Sequence, residues 1–275
     1  MDKRSIQRLL MAAGYYHGDI DGDLGPKSQT AIDKLLNNRV SELQAGHTRW
    51  GVARRAVAAA QLVLKHAGFD QVGVIDGLSG PSTQYALTSW NNFMETGDAD
   101  DKWRDGEEDD QESLLAEVWP RQTQSALTRF FGEAGGAQCT AGKVNVPFTM
   151  KIAWNKRQRI TRFSCHERVA VSAERCFGRI ASAYSPADIT RLGFDLFGGC
   201  YNFRKKRGGS TLSTHAWGIA IDNDPERNQL KWGRDRALLA TAECAEYWRI
   251  WEDAGWLSLG KARNYDWMHV QAARL

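Results

Sequence analysis

The sequence has little to staple it and nothing to anchor it in a bilayer. Its five cysteines, Cys139, Cys165, Cys176, Cys200 and Cys244, are odd in number and form no CxxC pair. That spacing excludes a zinc ribbon and gives no disulfide framework, so reduced thiols are expected. No stretch approaches the roughly 18 consecutive apolar residues of a membrane span. The opening MDKRSIQRLLMAAG sets basic residues before apolar ones. Its apolar run, Leu9 to Ala13, is too short for the apolar region of a secretory leader, and none is expected. An EF-hand is also missing. The aspartates of DIDGDLGP suggest one, but the loop needs Gly at its sixth position and Glu at its twelfth. Counted from Asp19, those positions hold Leu24 and Thr30.

What is present begins with charge. The 275 residues carry a net charge of +3. Residues 95 to 117 nevertheless hold eleven acids against Lys102 and Arg104. That segment carries about −9 and leaves about +12 elsewhere, a basic surface suited to a polyanionic partner. Self-repelling charge with few apolar residues reads as a linker, with a short helical piece expected at 114 to 118.

Before the linker, a unit repeats. IDGDLGP at 20 to 26 returns as IDGLSGP at 75 to 81. A shift of 54 pairs Gln7, Leu10, Ala13, Gly14 and Tyr15 with Gln61, Leu64, Ala67, Gly68 and Phe69. A shift of 55 then pairs Ala31, Ile32 and Leu35 with Ala86, Leu87 and Trp90. Ile6, Leu9, Leu10 and Ala13 fall on one helical face. Each unit therefore reads as helix, turn, helix. In the turn the shared Asp bonds its own backbone, the Gly takes positive φ, and Pro opens the next helix. Helix, Gly-aromatic, IDGxxGP and the Ala-apolar pattern together resemble the peptidoglycan-binding module of cell-wall hydrolases.

Beyond the linker, from Trp119, come mixed short apolar runs, two expected helices (166 to 182 and 236 to 253) and strand-like GIAID and MHVQ. Two stretches carry chemistry: STHAWGIAIDND (213 to 224) and YDWMHVQ (265 to 271). Two neutral imidazoles and one carboxylate make the protein half of an open zinc site, which selects His215, Asp222 and His269 as ligands for one Zn²⁺. Asp224 is the alternative acid. Residues seven apart in an unbroken strand face opposite ways, so a bend is expected at Gly218.

HxxGxAxD followed by DxxH resembles the M15 family of zinc peptidases, which includes D-alanyl-D-alanine carboxypeptidases and phage L-alanyl-D-glutamate endolysins. The resemblance makes Asp266 the general base toward a zinc-bound water. It makes Arg204, or Arg207 three residues on, the group that polarises the scissile carbonyl. It gives Ser213 a part in orienting the loop or the substrate, beside the plainer reading of a turn hydroxyl. FRKKRGG runs straight into this loop, favouring a substrate-facing role over nucleic acid. Tyr247, Trp248 and Trp251 follow helical spacing and read as core. Cys165-His166 lacks a second pair at metal spacing and reads as structural.

These readings combine into an expected fold class of two domains. An all-α helical-repeat wall-binding domain (1 to 94) and an acidic linker (95 to 117) precede a small α+β zinc peptidase domain with a short antiparallel sheet (118 to 275). The expected protein is a monomeric, phage-type peptidoglycan hydrolase that cuts the peptide stem. It waits in the host cytoplasm for a holin and uses neither nucleic acid nor a membrane span. The alternatives are a bacterial D-alanyl-D-alanine carboxypeptidase and a non-catalytic wall-binding protein.

Overall fold

A computed structural model describes residues 1–99, 103–105 and 119–275. Most of the acidic run, with the helix expected at 114 to 118, lies outside them. The chain divides into two compact units, Met1–Asp105 with Arg204–Ser210 and Gly106–Phe203 with Thr211–Leu275.

In the first unit the repeat forms α1 (Lys3–Ala12), α2 (Pro26–Asn38), α3 (Val52–His66) and α4 (Pro81–Thr96). The central helix α3 packs against α1, α2 and α4. Its Ala56, Ala58, Ala59 and Ala60 are fully buried, and side chains that small let neighbouring helices approach closely. Both turns form as their chemistry requires. Asp21 Oδ1 accepts from the Asp23 N–H and Asp76 Oδ1 from the Leu78 N–H, each at 2.8 Å. Gly22 and Gly77 have φ of +80° and +69°, while Pro26 and Pro81 open α2 and α4.

The second unit contains α5 (Gln124–Phe131), α6 (Gln138–Ala141), β1 (Gly142–Ile152), β2 (Asn155–Cys165), α7 (Ala170–Ala183), α8 (Pro186–Arg191) and β3 (Leu196–Gly199). After these come β4 (Ala220–Asn223), α9 (Ala245–Asp253), β5 (Leu257–Ser258), α10 (Leu259–Arg263) and β6 (His269–Gln271). The strands form one six-stranded sheet in the order β2-β1-β3-β4-β6-β5. β1 and β3 run parallel, and the remaining neighbours are antiparallel.

The expected fold class is thereby corrected. Among its described residues the chain is mixed α/β, with ten α-helices and one mixed sheet, not an all-α part followed by a small α+β part with a short antiparallel sheet. The misreading has a physical origin. The hairpin strands β1 and β2 are eleven residues each, but Pro147 breaks the pattern of one and NKRQRITR hides the other. β2 lies at the sheet edge with Lys156, Arg157, Arg159 and Arg162 exposed. Such charge discourages edge-to-edge pairing and erases the apolar alternation that marks a strand. The parallel pair follows from α7 and α8, which carry the chain back between β2 and β3.

Helix α7 starts four residues later than expected. The region from 236 opens with two 3₁₀ turns (Leu238–Ala240 and Ala242–Cys244) before α9. Tyr247, Trp248 and Trp251 of α9 are buried, as their spacing implies, in a core with Phe177, Phe194, Trp217 and Trp256. All five cysteines are buried free thiols.

Candidate metal centre

His215, Asp222 and His269 come from three local structures that meet at the middle of the sheet. Ser213 caps a 3₁₀ turn, Thr214–Trp217, and its Oγ accepts from the His215 N–H at 3.4 Å. Gly218 ends the turn with φ of +68°. A side chain is impossible there, because a Cβ would sit 2.1 Å from the Cys139 carbonyl oxygen. The bend lets a residue from the loop and one from β4 face the same point. Asp222 is paired directly with His269 of β6 on one side and with Gly199 of β3 on the other.

The three ligand atoms form a small triangle. His215 Nε2 lies 3.2 Å from Asp222 Oδ1 and 3.2 Å from His269 Nδ1, and His269 Nδ1 lies 3.0 Å from Asp222 Oδ1. All three residues are buried, at 3%, 3% and 4% exposure. His215 Nδ1 lies 2.6 Å from the Cys200 carbonyl oxygen. A carbonyl only accepts, so Nδ1 carries the hydrogen and the neutral ring turns a lone pair on Nε2 toward Asp222 and His269. Electron pairs that converge in a buried space need a cation, whether a metal ion or a proton. A tetrahedral ion with ligand bonds of about 2.0–2.1 Å has ligand–ligand edges of roughly 3.3 Å, close to this triangle. The group can therefore hold a metal ion, and it is the one such cluster of at least three His, Cys, Asp or Glu among the described residues.

Electrostatics agree with the geometry. Burial alone would raise the Asp222 carboxyl, but when a proton rather than a metal ion holds the trio, the charges and hydrogen bonds of the protonated His215 and His269 outweigh it and keep it well below the ordinary carboxylate range. Burial pushes the Cys200 thiol well above its usual value, helped by the charges of Cys165 and Asp222. Cys200 thus stays protonated and serves the site through its carbonyl rather than its sulfur. Asp224, two residues past Asp222, is turned elsewhere: its Oδ2 accepts from Arg227 Nε at 2.6 Å. Desolvation raises that carboxyl despite the arginine.

The other anticipated residues fall as follows. Asp266 is buried in the turn that leads into β6, with φ of +55°. Its N–H donates to the Leu230 carbonyl at 2.8 Å and its carbonyl accepts from the His269 N–H at 2.9 Å. That bond ties the acid to the first residue of the ligand strand. Arg204 and Arg207 are buried but belong to the first compact unit. There Lys205 Nζ meets Asp70 Oδ2 at 2.8 Å and the Gly208 carbonyl accepts from the Arg104 N–H at 2.6 Å.

Thr214, Gln271 and the Cys200 carbonyl escaped sequence reasoning. Gln271 left a signal, since a residue two beyond a strand ligand shares its face. A backbone carbonyl leaves none. His166, as expected, is structural: its Nε2 donates to the Phe131 carbonyl at 2.8 Å and its Nδ1 accepts from the Arg168 N–H at 3.1 Å.

No protein-family model matches the chain, and comparisons with curated proteins and with solved structures likewise find no match.

Proposed function

We propose that the chain is a peptidoglycan hydrolase of the endolysin type, cutting the peptide stem of the bacterial wall at a zinc centre held by His215, Asp222 and His269. The observation that carries this reading is the buried triangle of two imidazoles and one carboxylate, the donor set of an open catalytic zinc site. Zinc, when bound, supplies a Lewis acid that polarises a carbonyl and lowers the pKa of a water. Asp266, tied to His269 through its own carbonyl, is the base that takes a proton from the attacking water. The helical repeat, built on two IDGxxGP turns, is assigned to wall binding. Tethering there raises the local concentration of the catalyst on an insoluble substrate. Passage to the wall through a holin belongs to the same proposal. Among the described residues no helix is long and apolar enough to cross a membrane.

Mass spectrometry of material released from purified sacculi by the full chain tests the reading. New N-terminal D-glutamate ends identify an L-alanyl-D-glutamate endopeptidase. Loss of terminal D-alanine alone identifies the carboxypeptidase alternative. Unchanged sacculi, with zinc supplied, would refute hydrolysis and leave a wall-binding protein.

A further inference from the structure

His269 can bind a metal through Nδ1 only if its proton sits on Nε2, and nothing within the ring enforces that choice. We propose that Gln271 is a positioning residue that fixes His269 in the Nε2–H tautomer, and that Gln122 holds Gln271 in the orientation this requires. The inference rests on the metal-centre reading of the trio.

His269 and Gln271 are two apart in β6 and so share a face of the strand. Gln271 Oε1 lies 3.1 Å from His269 Nε2 and accepts from Thr214 Oγ1 at 3.2 Å. Gln271 Nε2 donates to Gln122 Oε1 at 3.1 Å and to the Ala273 carbonyl at 3.2 Å. Both amide hydrogens are thus directed at acceptors. Rotating the amide by half a turn would set Oε1 against the Ala273 carbonyl and present hydrogens to Thr214 and His269. The network therefore assigns the amide orientation. An oxygen facing His269 Nε2 can only accept, so that nitrogen carries the hydrogen. The lone pair is left on Nδ1, directed at Asp222 Oδ1 and His215 Nε2. All of Gln271, Thr214 and His269 are buried, and Gln122 is 8% exposed, so bulk water competes little for these bonds. Thr214 precedes His215, so the turn that carries one imidazole also bonds the support of the other.

The test uses the full-length protein and two readouts besides activity: zinc affinity by competition with a chelator, and the ¹⁵N imidazole spectrum of the metal-free protein. Gln271→Met keeps the size but removes the acceptor. It should lose the Nε2–H signature of His269 and bind zinc about 10–100-fold more weakly, the usual weight of a group that orients a ligand. Gln271→Glu restores an oxygen at that position and should recover the tautomer and most of the affinity, which a mere packing role does not predict. Gln122→Met, one step further from the ring, should show a smaller loss of the same sign and keeps the question answerable if Gln271→Met fails to fold. Equal losses in the Met and Glu variants with an unchanged tautomer overturn the proposal, as does a wild-type His269 that carries no hydrogen on Nε2. Failure of the wild type to take up zinc at all overturns instead the reading of the trio on which the inference rests.

Discussion

The two repeat turns of the first unit, each organised by a buried glutamine, and the buried trio of the second are polar clusters built on opposite plans. In each turn a buried glutamine closes the account of donors and acceptors. Gln7 Nε2 donates to Asp21 Oδ1 at 2.7 Å and to the Asp23 carbonyl at 3.0 Å, while its Oε1 accepts from the Gly22 N–H at 2.8 Å. Gln61 does the same with Asp76, the Leu78 carbonyl and the Gly77 N–H at 2.9, 3.1 and 2.7 Å. Every hydrogen meets a lone pair, as buried polar groups in a structural role do. At the trio, two imidazole nitrogens and a carboxylate oxygen face one another across 3.0–3.2 Å, an arrangement that a metal ion or a proton must hold together. A site that a cation must complete differs in this way from a network already complete.

The largest expected effect comes from removing a member of the incomplete cluster. The wild type should bind about one zinc per chain, and His215→Ala should bind almost none and lose sacculus hydrolysis with it. Metal analysis of the two purified proteins decides this. Wild-type zinc content in the variant would mean that the triangle is held by a proton, as a structural His–Asp cluster, and the contrast with the turns would vanish.

Next in size is Asp266→Asn. A general base is worth about 10² to 10⁴ in turnover, and Asn keeps the side-chain volume without taking a proton. Turnover should fall by that range while zinc content stays at the wild-type level. A joint fall in zinc content, melting temperature and activity would instead show that Asp266 serves the turn into β6, where its φ of +55° is unusual for a residue with a side chain.

How much of this could be read from the sequence follows from where the information resides. The repeat helices were legible because IDGxxGP marks its turn with residues that few other structures need, and Gln7 and Gln61 stand in register. The trio was legible because its chemistry depends on side-chain type. The sheet was not. Its longest strands are an edge hairpin with exposed arginines and lysines, so their stability comes from pairing with neighbours, which no local pattern records. The Cys200 carbonyl was hidden because every residue has one. That Arg204 and Arg207 belong to the first compact unit was equally hidden, since contacts distant in the chain decide it.

A smaller effect probes the two closed networks against each other. Alanine at a left-handed glycine costs roughly 1–2 kcal/mol in backbone strain. At Gly22 the added Cβ meets only the flexible Arg4 side chain, 3.2 Å away, whereas at Gly77 it comes within 2.5 Å of the Arg54 backbone oxygen. Gly22→Ala should therefore cost about the strain alone, and Gly77→Ala distinctly more, by chemical denaturation of the full chain followed through the first unit's Trp50 and Trp90. Equal costs would show that α3 yields at Arg54 and that the second turn is no tighter than the first.

The smallest effect sets two kinds of histidine apart within the second unit. His166 has its donor and its acceptor both matched by backbone groups, the closed plan in miniature. Burial lowers its pKa from the usual 6.5, against the raising influence of the Phe131 carbonyl and Glu167, with Arg168 adding to the lowering. The folded protein therefore keeps the ring neutral where the unfolded chain already takes a proton. Its contribution to stability is complete above the unfolded value and is lost as pH falls from there through the lower folded value, with a slope bounded by one proton. His166→Gln retains an amide that can donate to Phe131 and accept from Arg168 but does not titrate. The stability difference between wild type and variant, measured by denaturant titration between pH 7.5 and 5.5 at one fixed zinc concentration, should change in the variant's favour as pH drops. His215 and His269 are present in both proteins, so their titration cancels from that difference. A difference that stays constant with pH would mean that His166 is charged or open to water, and that a histidine here need not be closed to be structural.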